Sequence, residues 1–207
     1  MKTSQASGKP VIGIVGGVGA GKSLAAGQFA ALGCWLVDAD KIGHALLDEP
    51  NVQDAIRRRW GGEAFTLDGQ VSRKALAEVV FKSQADLAAL NAILHPLIRR
   101  RIVQAIAEAQ ADASVTGVVL DAAVMFEAGW DDVCSHRIFV SAPAADRQRR
   151  VVESRRWSVE TWRGREKSQI SLDIKAARCE YTLNNRFGAS FLREQVRVLF
   201  HRIRQED

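Results

Sequence analysis

The run Gly16 to Ser23 reads GGVGAGKS and fits the pattern G-x-x-x-x-G-K-[ST] at every constrained position. Glycines let a backbone curl until successive N–H groups converge on phosphate oxygens. A Lys then reaches the β and γ phosphates, and a Ser hydroxyl ligates Mg²⁺. Lys22 and Ser23 hold those places. Gly17, Val18, Gly19, Ala20, Gly21, Lys22, Ser23 and Leu24 are therefore expected to cradle a nucleoside triphosphate, with Mg²⁺ at Ser23. The alternative is a glycine-rich turn without a ligand, which the flanking segments disfavour. Transfer of a phosphoryl group to a hydroxyl further needs a carboxylate to orient the acceptor and take its proton. Asp38 is expected to do this from the end of an adjacent strand. Asp40, two residues on, suits a helix cap as well as a substrate contact. Asp121 ends another apolar run and is a candidate to hold Mg²⁺ through water, with a structural role as the alternative. A basic stretch, DRQRRVVESRRWSVETWRGREK at 146–167, fits a lid that closes over phosphates and neutralises charge in the transition state. Its plainer reading is a solvated basic face.

Elements must bring these groups together. Val11 to Val15, VIGIV, is an uninterrupted apolar run of the kind a central parallel strand shows. After the loop, Leu24, Ala25, Phe29 and Leu32 recur near helical spacing, and Gly33 follows as a stop. The helix start adds its dipole and free N–H groups to phosphate binding. Further strands are expected at Cys34 to Val37, Val118 to Leu120, Arg137 to Val140 and Tyr181 to Leu183. Helical patterns between them imply a parallel sheet with helices on both faces. Ligands of such sheets bind beyond the C-terminal strand ends, where the chain places the glycine loop, Asp38, Asp40, Asp121, Ser141, Asn184 and Asn185.

The stretch from Lys41 to Val115 is too long for a simple crossover and reads as a helical insertion. A helix is expected over Val52 to Trp60, stopping at Gly61-Gly62. Another is capped by Ser72, and a third runs from Ser83 toward Leu94. Pro96 then kinks the path or starts a helix from Leu97 to about Gln110. The basic stretch reads as two helices around Arg156-Trp157-Ser158, with Ser158 capping the second.

Bulk properties exclude several classes. The 207 residues, 47% hydrophobic and 26% charged, suit one globular domain with insertions. No run approaches the ~20 apolar residues of a membrane span, and MKTSQASGKP lacks a signal-peptide core. A cytoplasmic protein with a flexible extension over 1–10 is expected. Cys34, Cys134 and Cys179 suit ordinary buried thiols, and the four histidines lack metal-ligand spacing. A net charge of +5 suits a polyanionic partner.

The loop GGVGAGKS, D-A-D-K-I at 38–42, H-P-L-I at 95–98 and LDAAVMFEAG at 120–129, in this order and at these distances, resemble the dephospho-CoA kinase family. The resemblance covers about Val11 to Leu192. It implies a three-layer α/β P-loop kinase fold with a five-stranded parallel sheet, a helical acceptor-binding insertion and a helical lid. The implied parts are a nucleotide-binding core at 11–48 and 115–207, the insertion at 49–114 and the lid at 146–170. It further implies transfer of the ATP γ-phosphoryl group to the ribose 3'-hydroxyl of dephospho-CoA, with Mg²⁺. Asp38, Asp40, His44 and His95 are the implied acceptor-side residues, although His95 before Pro96 reads as fixing the helix junction ahead of performing chemistry, with contact to the coenzyme as the alternative. Arg149 and Arg150 fall near the family's catalytic Arg, and Asn184 and Asn185 match the loop that borders adenine, unless they make a plain turn. One Arg from Arg57 to Arg59, Arg99 to Arg101 or the lid is expected on the acceptor pyrophosphate. Leu24, Ala123, Trp157 and Asn184 depart from the more usual residues and leave room for a divergent, weaker member.

Three rivals remain. A GTPase switch has D-x-x-G at Asp40 to Gly43 but lacks N-K-x-D. Another small-molecule or nucleotide kinase shares loop and lid. A nucleic-acid binder would suit the charge but lacks an interleaved aromatic and basic module. Trp35, Trp60, Trp130, Trp157 and Trp162 read as core or hinge packing. A monomer or weak homo-oligomer with a small-molecule substrate, no nucleic acid and no membrane is expected.

Overall fold

The computed structural model describes residues 8–206. Five strands, β1 (Val11–Gly16), β2 (Cys34–Asp38), β3 (Gly117–Asp121), β4 (His136–Ser141) and β5 (Tyr181–Asn184), pair in the order β2-β3-β1-β4-β5, all parallel. Helices are α1 (Lys22–Ala30), α2 (Ala39–Leu46), α3 (Pro50–Trp60), α4 (Arg73–Val80), α5 (Gln84–Ala111), α6 (Ala144–Arg155), α7 (Val159–Lys167), α8 (Leu172–Ala177) and α9 (Ala189–Glu206). The sheet is the five-stranded, parallel α/β arrangement expected, with helices around it. The chain divides into two compact units, one of residues 1–38 and 104–207, the other of residues 39–103. The second unit thus begins at Ala39 and ends at Val103, against the 49–114 expected for the insertion.

In the first unit, β1 and β3 are buried along their whole length, which is why they read as unbroken apolar runs. Ile12, Ile14, Phe29, Val119, Ile138, Val140, Leu183, Leu192, Val196, Phe200 and Ile203 form the core between the sheet and helices α1 and α9. Phe29 meets Phe200 edge to face at 5.8 Å. Such pairs add about 1 kcal/mol beyond the area they bury. Of the extension expected over 1–10, residues 1–7 lie outside the described residues. Lys9 and Pro10 are already tied in: Lys9 Nζ donates to Ala109 O at 2.9 Å, and Pro10 O accepts from Val118 N at 2.8 Å.

One expectation about the sheet changes. β2 is not the neighbour of β1, because β3 lies between them. The crossover through α1 skips one position, and β3 fills it. Asp38 therefore pairs in register with Asp121, and Asp121 with Ile14 of β1. The strands also run one or two residues further than their apolar runs, so Asp38, Asp121, Ser141 and Asn184 end strands instead of following them. As an edge strand, β2 leaves Trp35 41% exposed and so outside the core, one of the two placements expected for it. Trp130 and Trp162 are buried.

In the second unit, Ser72 caps α4 by accepting from Ala75 N at 3.3 Å. Of the two expectations at Pro96, a kink or a new helix start, the new start does not occur: one helix, α5, runs through with Pro96 inside it. A proline deletes one backbone bond and crowds the preceding turn. Burial of Ile98 and Ile102 just beyond it favours continuation of the helix. Asp40 to Gly43, the D-x-x-G of the switch reading, lies within α2.

Candidate active site

β1 ends at Gly16, and the loop turns into α1 with Gly21 as its N-cap. Gly19 (φ 83°) and Gly21 (φ 94°) adopt left-handed conformations that side chains rarely tolerate. Space forbids a side chain as well: a Cβ on Gly19 would strike Arg147 O, and one on Gly21 would strike Asn185 Nδ2. The loop closes on itself through Ala20 N to Gly17 O at 3.1 Å. Lys22 Nζ donates to Gly16 O and Gly17 O at 3.2 and 3.3 Å, folded back along the loop.

The loop's carbonyls are held from outside. Asn185, 2% exposed, donates through Nδ2 to Ala20 O at 2.8 Å. Trp162 Nε1 donates to Val18 O at 3.2 Å. In a trans peptide the C=O and the next N–H point in opposite directions. Holding Ala20 O outward therefore turns Gly21 N–H inward, and holding Val18 O does the same for Gly19 N–H. The loop is thereby preset to meet an anion, at the N-terminus of α1.

Ser23 Oγ donates to Asp121 Oδ2 at 2.8 Å. A hydroxyl and a carboxylate oxygen side by side are hard donors that fit Mg²⁺, which takes few protein ligands and keeps waters and phosphate oxygens. Among the described residues no group of three or more His, Cys, Asp or Glu could hold a metal ion by itself. Asp38, half-buried, stands next to Asp121 across the β2–β3 register. The C-terminal sheet edge thus carries loop, Ser23, Asp121 and Asp38 in spatial sequence.

The stretch expected to form a lid holds α6 and α7, joined through Arg156 in a left-handed conformation (φ 53°). Ser158 caps α7 by accepting from Thr161 N at 3.2 Å. Arg149 and Arg150 diverge. Arg150 donates to Asn185 O at 2.6 Å and reaches Ala20 O at 3.5 Å, whereas Arg149 is exposed and faces Asp146 at 3.4 Å. Neighbouring helical residues point about 100° apart, so only one of the two can face the loop. Asn184 binds Gln195 of α9 through both main-chain groups and caps Arg186 N. Leu24 is 40% exposed on α1.

The other expected residues belong to the second unit. Asp40 and His44 lie one turn apart on α2, both exposed. His95 is half-buried on α5, and burial pushes it below the usual histidine range. Of the arginine triplets, Arg59 pairs with Asp86 at 3.0 Å, Arg101 pairs with Glu49 at 2.8 Å, and Arg57 lies 4.0 Å from the Phe65 ring.

Sequence patterns assign no individual site role to four residues, Trp162 being expected only as core or hinge packing and Arg147 only as part of the basic stretch. Lys175 of α8 is fully buried. Its ammonium meets Glu127 at 3.0 Å, Ala123 O at 2.7 Å and Gln169 at 2.8 Å, tying the loop after Asp121 to the end of the lid. The second oxygen of Glu127 is buried and has no hydrogen-bond partner. Arg147 is buried and pairs with Glu166, and Trp162 reaches the loop. Lys175, Arg147 and Trp162 sit in polar helices with no spacing to single them out. Glu127 lies in the turn after β3, inside the LDAAVMFEAG run, where nothing marks it as the partner of Lys175.

Comparison with known proteins agrees with this arrangement. A family model described as dephospho-CoA kinase matches residues 10–190. The dephospho-CoA kinase of Corynebacterium diphtheriae is 33% identical over 193 residues, covering 93% of this chain and 96% of that protein. The one from Syntrophotalea carbinolica is 34% identical over 198 residues, covering 93% and 92%. A crystal structure from Thermus thermophilus superposes with a TM-score of 0.80 at 27% identity, covering 95% of this chain and 98% of that one. At 19% identity, the dephospho-CoA kinase of Campylobacter jejuni shares the fold with a TM-score of 0.63, covering 94% and 97%. The chain belongs to the dephospho-CoA kinase family.

Proposed function

We propose that this protein transfers the γ-phosphoryl group of ATP to the ribose 3'-hydroxyl of dephospho-CoA, with Mg²⁺ held at Ser23 and, through water, at Asp121. The observation that carries the reading is the sheet edge itself: the loop leaves the end of β1, Ser23 at the start of α1 bonds to Asp121 at the end of β3, and Asp38 ends the adjoining β2. Gly19 and Gly21 N–H groups and Lys22 bind phosphate oxygens. Lys22 leaves its present carbonyl partners for the ligand, an exchange of neutral acceptors for charged ones that strengthens its bonds. Asp38 orients the acceptor hydroxyl and takes its proton as the new O–P bond forms and the bond to the departing ADP oxygen breaks. Bound Mg²⁺ supplies charge neutralisation at the phosphates. Arg150 is the lid arginine placed to reach that charge. Asp40, His44 and His95, in the 39–103 unit, contribute to the acceptor side, and Asn184 and Asn185 border the base. A cytoplasmic location, suited to both substrates, belongs to the same proposal.

The test is ADP release from Mg-ATP with dephospho-CoA, nucleoside monophosphates, pantetheine derivatives and RNA as acceptors. Turnover confined to dephospho-CoA is expected; its absence refutes the reading. Asp38→Asn is expected to lose turnover while nucleotide binding stays intact. If that variant turns over near the wild-type rate, Asp38 is not the acceptor-orienting base.

A further inference from the structure

Val18 is gripped by the lid on three sides. Its N–H donates to Glu166 Oε1 at 3.0 Å, its C=O accepts from Trp162 Nε1 at 3.2 Å, and its side chain shares a small apolar cluster with Val151 and Trp162, against which Trp157 packs. The hairpin is therefore fastened to the phosphate loop by two main-chain bonds. One of the two fasteners is a carboxylate, set at the edge of a loop whose ligand is polyanionic. Left uncompensated in a partly dry setting, that charge would oppose the triphosphate. Arg147 removes the conflict. Its guanidinium donates to Glu166 and to Ala142 O, the latter at 3.1 Å, and lies 5.5 Å from the Trp162 ring, with the side chain only 6% exposed.

We propose that Trp162, Glu166 and Arg147 are positioning residues for ATP, an inference that rests on the kinase reading above. Trp162 and Glu166 fix the peptides on either side of Val18 and so direct Gly19 N–H at the phosphates. Arg147 cancels the charge that this grip brings to the loop. The hairpin is accordingly a brace for the loop as well as a cover.

Steady-state kinetics with each substrate varied in turn separates this from a merely structural role, because a brace for the loop moves KM for ATP and not KM for dephospho-CoA. Arg147→Met should raise KM for ATP about tenfold or more and change the acceptor KM less than about twofold. Glu166→Gln added to it keeps an acceptor for Val18 N–H without the charge, and should return KM for ATP to within about threefold of wild type. Arg147→Lys, which keeps the charge, should stay near wild type. Trp162→Phe keeps an aromatic, though smaller, side chain and loses the donor, and should raise KM for ATP about fivefold. The proposal is overturned if the double variant is no better than Arg147→Met, or if both KM values rise together. Should Arg147→Met fail to fold by circular dichroism, Arg147→Lys and the double variant decide: near-wild-type KM in both supports the proposal, and a tenfold rise in either overturns it. Wild-type protein without turnover would sink the kinase reading, a result distinct from these.

Discussion

Gly21→Ala, read against Asn185→Ala, tests whether the phosphate loop is preset by its surroundings. At φ 94° an alanine carries left-handed strain of about 1–2 kcal/mol. Its Cβ would also occupy the position of Asn185 Nδ2, displacing the amide from Ala20 O. Loss of a buried hydrogen bond with its acceptor left behind costs about 1–3 kcal/mol. The two terms sum to about 2–5 kcal/mol, a large part of the ~5–15 kcal/mol that holds a domain together. Asn185→Ala alone should cost only the second term, about 1–3 kcal/mol. In the double variant the bond is lost once, so the combined cost should fall short of the sum by about 1–3 kcal/mol. Urea denaturation of the four proteins, followed by tryptophan fluorescence, gives the cycle, and nucleotide titration of each gives the functional counterpart. Additivity within about 0.5 kcal/mol would refute the shared-bond argument. So would a Gly21→Ala protein as stable as wild type.

Lys175→Ala should destabilise the protein by about 3–5 kcal/mol in the same denaturation assay, because it strands Glu127 beside a fully buried site; Lys175→Met with Glu127→Gln should cost clearly less. Burial pushes the Cys34 thiol up to about 11 and the Cys134 thiol up to about 12, so at pH 8 native protein should resist iodoacetamide while unfolded protein is labelled at once, as read by mass spectrometry. Rapid native labelling of either would contradict the packing described. His95 is held neutral by burial, so its stabilising contribution is present above the ordinary histidine range and is lost as pH falls through its lowered value. His95→Gln should therefore flatten the rise in denaturation midpoint between about pH 5 and pH 7; an unchanged slope argues against it.

Local physics made much of this legible in advance. The loop, β1 and α1 announce themselves because glycine placement, an apolar run and helical spacing each act over a few residues. Ser72 and Ser158 as caps were readable for the same reason. The order of the strands was not, since nothing in VIGIV says which later strand will lie beside it, and so Asp38 was placed next to β1 when Asp121 stands between. Pro96 misled in the other direction: its local cost is real, but burial of Ile98 and Ile102 outweighs it. The lid arginines were visible as a group, yet only packing separates Arg147 in its ion pair from Arg150 at the loop and Arg149 in solvent. Lys175 and Glu127 lie far apart in sequence, and no spacing links them.

The strand order also has a consequence during synthesis. Val11 pairs with Val118 on one side of β1, and Ile12 with His136 on the other. At about 5–20 residues per second, roughly ten seconds of translation separate the emergence of β1 from that of either partner. For that time an apolar, fully pairable segment has neither neighbour. The glycine-rich loop and α1 that follow it are made early and must wait as well. The nascent chain should therefore depend on chaperone cover over this interval, and lengthening the 39–103 segment should extend that dependence without touching the folded sheet.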